Sequence, residues 1–211
     1  LAGISRLAPQ RRLNDMTAQQ LPQDLAIDLR QLVMTIANTI DLVGVDDVLH
    51  GRRVGMMARE LACHLGWNGA TQCLLYDAGL LHDCGVSSTR VHRNLVVDLE
   101  WSGAQEHCIR GDALLHDFAP LAHLAPIIRY HHSRWDWLET QSLPADTAIY
   151  ANLVFLADRI DVLAAPFHAE QTVLAHAPAI RARLAAERGR LFCPELIDAF
   201  FDSLDSLRQV R

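Results

Sequence analysis

The sequence predicts an all-α fold, a helical bundle, from three observations. Apolar residues recur every three or four positions along most of the 211 residues, which is the spacing of one face of a helix. The stretches between these segments have lengths that suit connections between neighbouring helices. Half of the residues are hydrophobic, which is enough for a sizeable core. We therefore expect a single helical domain.

Each helix is justified by its own apolar pattern and by the signals at its ends. Residues 1–22 have no sustained period and predict a linker or N-terminal arm, so the domain is expected to cover residues 23–211. Gly44 and Gly66 end the first two helices, and Pro126 begins the fifth. The predicted helices cover, in order, residues 24–43, a segment from a cap at Asp46 or Asp47 to Leu65, and residues 70–82, 104–118, 127–132, 148–164, 178–188 and 194–208.

The composition excludes several kinds of function. The chain contains no lysine, and all 19 basic residues are arginine, which excludes Schiff-base chemistry and a P-loop. The net charge of −6 argues against a long nucleic acid as partner, because tracking phosphates requires a basic stripe. No apolar run reaches the roughly 18 residues of a membrane span, and no secretory leader precedes the domain. We expect a cytoplasmic protein whose five cysteines are reduced and lie mostly in the core.

An adjacent histidine and aspartate, His82 and Asp83, end the third predicted helix. Together they offer a neutral nitrogen donor and a carboxylate that can bridge two cations. The ordinary explanation of such a pair is a helix end closed by Gly85. A metal site is favoured because further candidate ligands lie on other segments with helical spacing. These are His50, His107, His131, His132 and Asp158.

These further histidines also have a purely structural interpretation. A histidine on an apolar helix face, such as His50, is more often a hydrogen-bonded core residue than a ligand. His107 is expected to point inward, because Gly111 one turn later allows close packing of the backbone. His131 and His132 diverge by about 100° around a helix, and burying both without a function would be costly because each ring needs hydrogen-bond partners. For this pair we favour ligands.

Asp158 lies in a strongly apolar helix together with Arg159 and Asp161. Charges in such a helix are expensive unless they are paired or bind a metal. We expect Asp158 to be a ligand, with Asp161 paired to Arg159 or to a neighbouring arginine.

Two polar segments lie beside these candidates. Residues 86–94 include Arg90 and Arg93, which fit either a phosphate site or a solvated loop. Residues 133–137 are aromatic and charged, which suits the lip of a pocket, and Arg134 could bind a phosphate bidentately.

The order of these residues resembles the HD superfamily of metal-dependent phosphohydrolases, and more closely its HD-GYP branch, which hydrolyses bacterial cyclic di-GMP. The resemblance covers about residues 30–205. It is carried by several motifs in the order of the family: His50-Gly51-Arg52-Arg53-Val54, Leu80-Leu81-His82-Asp83-Cys84-Gly85, His107 with Gly111, Ile127-Ile128-Arg129-Tyr130-His131-His132, and Leu156-Ala157-Asp158-Arg159-Ile160-Asp161.

The resemblance implies a helical bundle of the HD-domain type with a metal site between helices. His50, His82, Asp83 and Asp158 would form the basic site of the superfamily, while His107, His131 and His132 would add a second ion. Asp46, one turn before His50, matches the place where some members supply a carboxylate to a third ion.

The chemistry expected of such a site follows from its ligands. Two divalent ions bridged by Asp83 would lower the pKa of a shared water and neutralise the oxygens of a phosphodiester. Imidazole and carboxylate ligands without thiolate suit iron or manganese.

The chain departs from the HD-GYP branch at two positions. Val86 stands where the branch has a lysine that reaches the substrate phosphate, and Arg90 and Arg93 are the candidates to replace it. The glycine-tyrosine-proline loop is missing, because Trp137 and Leu138 follow Asp136. In the family this loop is linked to substrate placement and partner contacts.

Three functions are therefore compatible with the sequence. The first is a phosphodiesterase that opens a cyclic dinucleotide, cyclic di-GMP, to linear pGpG and on to GMP in bacterial second-messenger signalling. The second is a weak or inactive module that binds metal and nucleotide, and the third is an oxygen-dependent di-iron enzyme. The resemblance also implies work inside a larger signalling protein, beside a diguanylate cyclase (GGDEF) domain or a sensory domain, and the leucine at position 1 is compatible with that.

Overall fold

The computed structural model describes residues 28–41, 49–88, 99–100, 103–144 and 146–209. It confirms the all-α prediction: within these ranges the chain forms helices, and only an isolated bridge between Arg188 and Phe192 has β character. The helices are α1 (Leu29–Asp41), α2 (His50–His64), α3 (Gly69–Leu81), α4 (Ala104–His116), α5 (Ala125–Tyr130), α6 (Trp135–Leu138), α7 (Thr147–Ala164), α8 (Val173–Ala185) and α9 (Pro194–Gln209). Short 3-10 turns at Ala122–Leu124 and Ala165–Phe167 precede α5 and follow α7.

Most predicted boundaries agree with these helices to within two residues; the exceptions are the start of α1 and both ends of α8. Helix α1 begins at Leu29, five residues later than predicted, because the Asp28 carboxylate accepts hydrogen bonds from the backbone N–H groups of Arg30 and Gln31 and so caps the helix. Helix α8 extends from Val173 to Ala185 rather than from about 178 to 188, so Pro178 lies inside the helix and not at its start. No helix was predicted at the short α6; the sequence indicated only that residues 133–137 lie at the lip of a pocket.

Several predictions concern parts of the chain outside the described residues. These include the N-terminal arm at residues 1–22, the caps Asp46 and Asp47, and the two loop arginines Arg90 and Arg93. They stay predictions.

Helix α7 is the centre of the bundle. Every residue from Ala151 to Asp161 is buried, and the helix packs against α2, α3, α5, α6, α8 and α9. Its apolar side chains, among them Phe155 and Leu156, belong to one continuous core with Leu75, Leu81 and Ile128 from the surrounding helices. A polar side chain placed on α7 is therefore surrounded by protein.

Helices α2 and α3 approach each other so closely that glycine is required at the crossing. A Cβ added to Gly79 would lie 2.6 Å from the Gly55 Cα, and one added to Gly55 would lie 2.7 Å from the Tyr76 carbonyl oxygen. Both distances are shorter than real Cβ contacts. The crossing fixes the start of α2 relative to the end of α3, where His50 and His82 lie.

The cysteines differ from the prediction that they lie mostly in the core. Cys108 and Cys193 are buried and Cys84 is half-buried, but Cys63 and Cys73 are exposed on the outer faces of α2 and α3. All five are free thiols. Within the described residues, no helix combines the length and the apolar character that a membrane span requires.

Candidate metal centre

Five separate elements bring their candidate ligands to one place inside the bundle. His50 is the first residue of α2, His82 and Asp83 directly follow α3, and His107 lies in the first half of α4. His131 and His132 directly follow α5, and Asp158 lies in the middle of α7. Apart from His132, which is half-buried as a whole residue, none of them is more than 8% exposed. The structure therefore brings together all seven predicted ligands that it describes.

The first group of ligand atoms consists of His50, His82 and Asp158, whose atoms lie within 4.8 Å of one another. The Asp158 Oδ1 atom is 3.4 Å from His50 Nε2 and 3.9 Å from His82 Nε2. Two imidazoles and one carboxylate around a common centre are suitable ligands for a divalent cation.

The second group consists of Asp83, His107, His131 and His132, with the same mutual limit of 4.8 Å. His107 Nε2 and His131 Nε2 are 3.2 Å apart, and His107 Nε2 is 3.4 Å from Asp83 Oδ1. Asp83 also reaches the first group, because its Oδ2 atom lies 3.4 Å from His82 Nε2 and 4.0 Å from His50 Nε2. Each oxygen of this carboxylate thus faces a different group, which is the arrangement that a bridging ligand requires.

Hydrogen bonds on the far side of the rings fix the direction of the ligand atoms. His82 Nδ1 donates to the Gly79 carbonyl at 2.8 Å, and His131 Nδ1 donates to the Ile128 carbonyl at 2.7 Å. A proton held on Nδ1 leaves Nε2 as an electron-pair donor pointing into the centre.

His50 is oriented by a carboxylate instead. Its Nδ1 atom lies 2.8 Å from Asp161 Oδ2, and Asp161 in turn accepts two hydrogen bonds from Arg53, from Nε at 2.7 Å and from a terminal nitrogen at 2.8 Å. The residue before His50, Leu49, has a φ of 75°, a left-handed conformation that is uncommon for a leucine. This entry into α2 aims the first side chain of the helix inward.

Asp161 was predicted to pair with Arg159 or with a neighbouring arginine, and the structure shows the second alternative. Arg159 donates to Asp158 Oδ2 at 2.7 and 3.0 Å, so it shares the carboxylate of a candidate ligand. Asp161 pairs with Arg53 of α2, which is the alternative of another arginine. Sequence reasoning did not single out Arg53, although its position three residues after His50 places both on one face of α2.

The electrostatics of the site favour the forms of the side chains that bind metals. Burial lowers the pKa of His107, His132 and His131, the last to about 3, so these rings are neutral at pH 7. For Asp158, burial opposes ionisation, but the Arg159 charge and the His50 hydrogen bond outweigh it and hold the pKa well below its usual value. Burial is likewise outweighed at Asp83, whose pKa the nearby His82 and His107 lower. These groups thus present three neutral imidazoles and two ionised carboxylates.

His50 differs from the other histidines. Burial alone would lower its pKa, but hydrogen bonds to Asp158 and Asp161 hold its pKa well above the ordinary value of a histidine. A cation in the first group would take the place of the proton that Asp158 attracts to this ring.

The donor set fits a divalent cation. His82 Nε2 and Asp83 Oδ1 are buried and have no hydrogen-bond partner, and such groups are rare in proteins because leaving them unpaired is costly. Both atoms face the centre, where a cation would satisfy them. Cys108 lies 3.6 Å from His131 Nδ1, but burial raises the pKa of its thiol far above neutrality. Its sulfur belongs to neither group of ligand atoms.

A pocket of about 590 Å³ opens beside the second group. One of its walls is His132, and the others are Glu100, Gln105, Ser133, Arg134, Asp136, Trp137 and Thr140. Arg134, the predicted phosphate ligand, forms a bidentate pair with Asp136 and lies 3.9 Å from Glu100. Two carboxylates thus already balance its charge, so a role toward phosphate stays a prediction.

Comparison with known proteins adds three findings. A family model described as HD domain matches residues 48–163. The 3'3'-cGAMP-specific phosphodiesterase 1 of Vibrio cholerae serotype O1 is 42% identical over 137 residues, which are 65% of this chain and 32% of that protein. A crystal structure of cyclic GMP-AMP specific phosphodiesterases from V. cholerae superposes with a TM-score of 0.63 at 17% identity, covering 85% of this chain and 49% of that one.

These matches differ in what they establish. The solved structure shares the helical fold with this chain. The chain spans about a third of the length of the V. cholerae relative and about half of the solved chain. The family model covers 116 of 211 residues, from 48 to 163, and its range contains all seven candidate ligands described above.

Proposed function

This chain belongs to the HD domain family, and from that premise we propose that it is a metal-dependent phosphodiesterase that hydrolyses a cyclic dinucleotide. The observation that carries the proposal is the position of Asp83 between two groups of buried ligands, with one carboxylate oxygen facing each. The activity named for the V. cholerae relative, cleavage of 3'3'-cGAMP, supports the substrate class.

Divalent ions at such a centre supply an activated water and neutralise charge on the phosphoryl oxygens. The protein's own part is to hold seven donors in place, to keep His107, His131 and His132 neutral, and to keep Asp83 and Asp158 ionised. Burial and the hydrogen bonds to Gly79, Ile128 and Asp161 perform that task. The donors lack thiolate, so we propose iron or manganese as the native metal.

We propose 3'3'-cGAMP and cyclic di-GMP as the substrates to test, with a linear dinucleotide as the product. The relative's name favours the first, while the motifs of the HD-GYP branch predict the second. The proposed catalytic unit is the domain at residues 23–211, and a GGDEF or sensory domain is the proposed neighbour.

The test is metal analysis of protein purified without chelator, followed by incubation with each dinucleotide under manganese and under ferrous iron. We expect bound metal and a linear product, both of which are lost in a His82→Ala, Asp83→Ala double variant. The matched control is His116→Ala, Asp117→Ala, another adjacent histidine and aspartate at a helix end, which is exposed. This control should keep full metal content and activity.

Two outcomes would contradict the proposal. Tight nucleotide binding without any product would instead support a non-catalytic binding module. Equal activity in the His82, Asp83 double variant would place the chemistry elsewhere in the protein.

A further inference from the structure

Helix α6 presents a large aromatic side chain to the pocket beside the metal centre. Trp137 is 45% exposed and lines the same pocket as the candidate ligand His132. The next residue, Leu138, is only 1% exposed, so the helix is anchored in the core while the indole faces the pocket. The pocket volume of about 590 Å³ lies in the range of roughly 300–1,000 Å³ that is usual for small-molecule sites.

The backbone that carries this indole is held by a buried amide. The N–H groups of Trp135 and Asp136 donate to the carbonyls of Leu191 and Arg190, both at 3.1 Å. The fully buried Asn152 of α7 holds the same turn, because it donates to the Leu191 carbonyl and accepts from the N–H of Cys193, both at 2.8 Å. The exposure of Trp137 is therefore fixed by the core of the protein.

The charges around the pocket do not favour an anion. Arg134 is paired with Asp136 and Glu100, and Arg190 is paired with Glu100 and Glu187. The pocket thus combines an exposed aromatic face with hydrogen-bonding groups of balanced charge. These are the properties of a site for a nucleobase, while the buried ligands next to it suit the phosphodiester of the same molecule.

Building on the proposed function, we infer that Trp137 is the base-binding residue of this protein. A purine base of the substrate stacks on its indole ring, and the attached phosphodiester lies at the metal centre behind His132. Because every purine presents an aromatic face, this contact contributes affinity for nucleotides without selecting between guanine and adenine.

The direct test compares two probes that are not substrates of a phosphodiesterase. GMP carries a base and a phosphate, whereas ribose 5-phosphate carries the phosphate alone. Binding of each to the manganese-loaded protein is measured by calorimetry for the wild type and for Trp137→Ala. We expect GMP to bind roughly 5- to 150-fold more weakly to the variant, the range that corresponds to loss of one stacked base, while ribose 5-phosphate binds equally.

Three further variants make this result specific. Trp137→Phe retains a ring and should recover most of the GMP affinity, whereas Trp137→Leu retains apolar bulk and should not. Phe118→Ala removes an aromatic of similar exposure, 42%, outside the pocket lining, and should bind GMP as the wild type does. Circular dichroism and manganese content, expected to equal those of the wild type, confirm that each variant is folded.

The inference is overturned if Trp137→Ala binds GMP as tightly as the wild type does, or if both probes weaken to the same extent. Steady-state kinetics separate this failure from failure of the proposed function. A wild type that cleaves the cyclic dinucleotide, with an unchanged KM in Trp137→Ala, refutes only the base-binding role. A wild type that neither cleaves nor binds the dinucleotide refutes both.

Discussion

Asp161 belongs to neither group of candidate ligands, but its carboxylate orients the ring of the candidate ligand His50. Its carboxylate is 2% exposed and lies between the His50 ring and the Arg53 guanidinium. The arginine satisfies both oxygens of the carboxylate, which lets the negative charge stay buried and keeps His50 Nε2 facing Asp158. The side chains that touch a ligand thus position the site as much as the ligands themselves.

We expect Asp161→Asn to weaken metal binding by about 10- to 100-fold. The amide has nearly the shape of the carboxylate but lacks the charge that holds Arg53 and His50. The measurement is a calorimetric titration of metal-free protein with manganese.

The matched control for Asp161 is Asp198→Asn. Asp198 forms the same bidentate pair with an arginine, Arg188, but on the exposed surface. Unchanged manganese affinity is expected there, since exposed ion pairs contribute little. Equal affinities of Asp161→Asn and the wild type would show that His50 is oriented without Asp161.

At the scale of elements, the turn after α3 lies very close to helix α4. A Cβ added to Gly85 would lie 2.0 Å from the His107 carbonyl oxygen and 2.5 Å from the Gly111 nitrogen, both backbone atoms that cannot rotate away. The turn carrying Asp83 therefore lies directly on the backbone that carries His107. This contact sets the distance between the two groups of ligands.

Gly85→Ala is expected to destabilise the fold by about 1–3 kcal/mol or more, because overpacking against backbone forces α3 and α4 apart. Urea denaturation monitored by circular dichroism measures the change. Gly69→Ala provides the control at the start of α3, where an added Cβ meets nothing within 4 Å, and it should be neutral or stabilising by up to ~1 kcal/mol. Similar stabilities of the two variants would disprove the close contact.

The sequence predicted the positions of most helices well, but it predicted poorly which of their side chains are buried and which elements they contact. In residues 104–118 the spacing alone places His107, Leu114 and either Phe118 or Leu115 on one face. His107 and Leu115 are buried, whereas Leu114 and Phe118 are exposed. Helix α6 escaped prediction because four residues are too few to reveal a period. Its position depends on Asn152, 15 residues further along the chain, which no local pattern reveals.

For the whole molecule, the metal centre is the point where α2, α3, α4, α5 and α7 meet. The candidate ligands extend from His50 to Asp158 along the chain, and each of the two groups draws its ligands from three different elements. The motifs that resemble the HD superfamily predicted these ligands from the sequence. The convergence of the side chains, and the Arg53–Asp161 pair that supports it, depend on tertiary packing and required the structure.

Cations bound at the two groups would link five elements and should stabilise the whole bundle. Metal at 100 times its dissociation constant adds ~2.7 kcal/mol to the free energy of unfolding, which corresponds to a rise in Tm of roughly 5–10 °C for a domain of this size. Thermal denaturation with manganese and with a chelator measures this difference. It should vanish in the His82→Ala, Asp83→Ala double variant and persist in His116→Ala, Asp117→Ala; a shift that survives in the former would indicate a different binding site.

The backbone conformation of Leu49 restricts which stabilising substitutions this protein can accept. A left-handed leucine costs roughly 1–2 kcal/mol, and here that cost falls at the residue that turns the chain into α2 with His50 facing inward. The stability of the fold and the orientation of His50 thus make opposite demands on the backbone of Leu49. A substitution that relieved the strain at Leu49 to raise the stability of the protein would no longer hold the His50 imidazole toward the other candidate ligands.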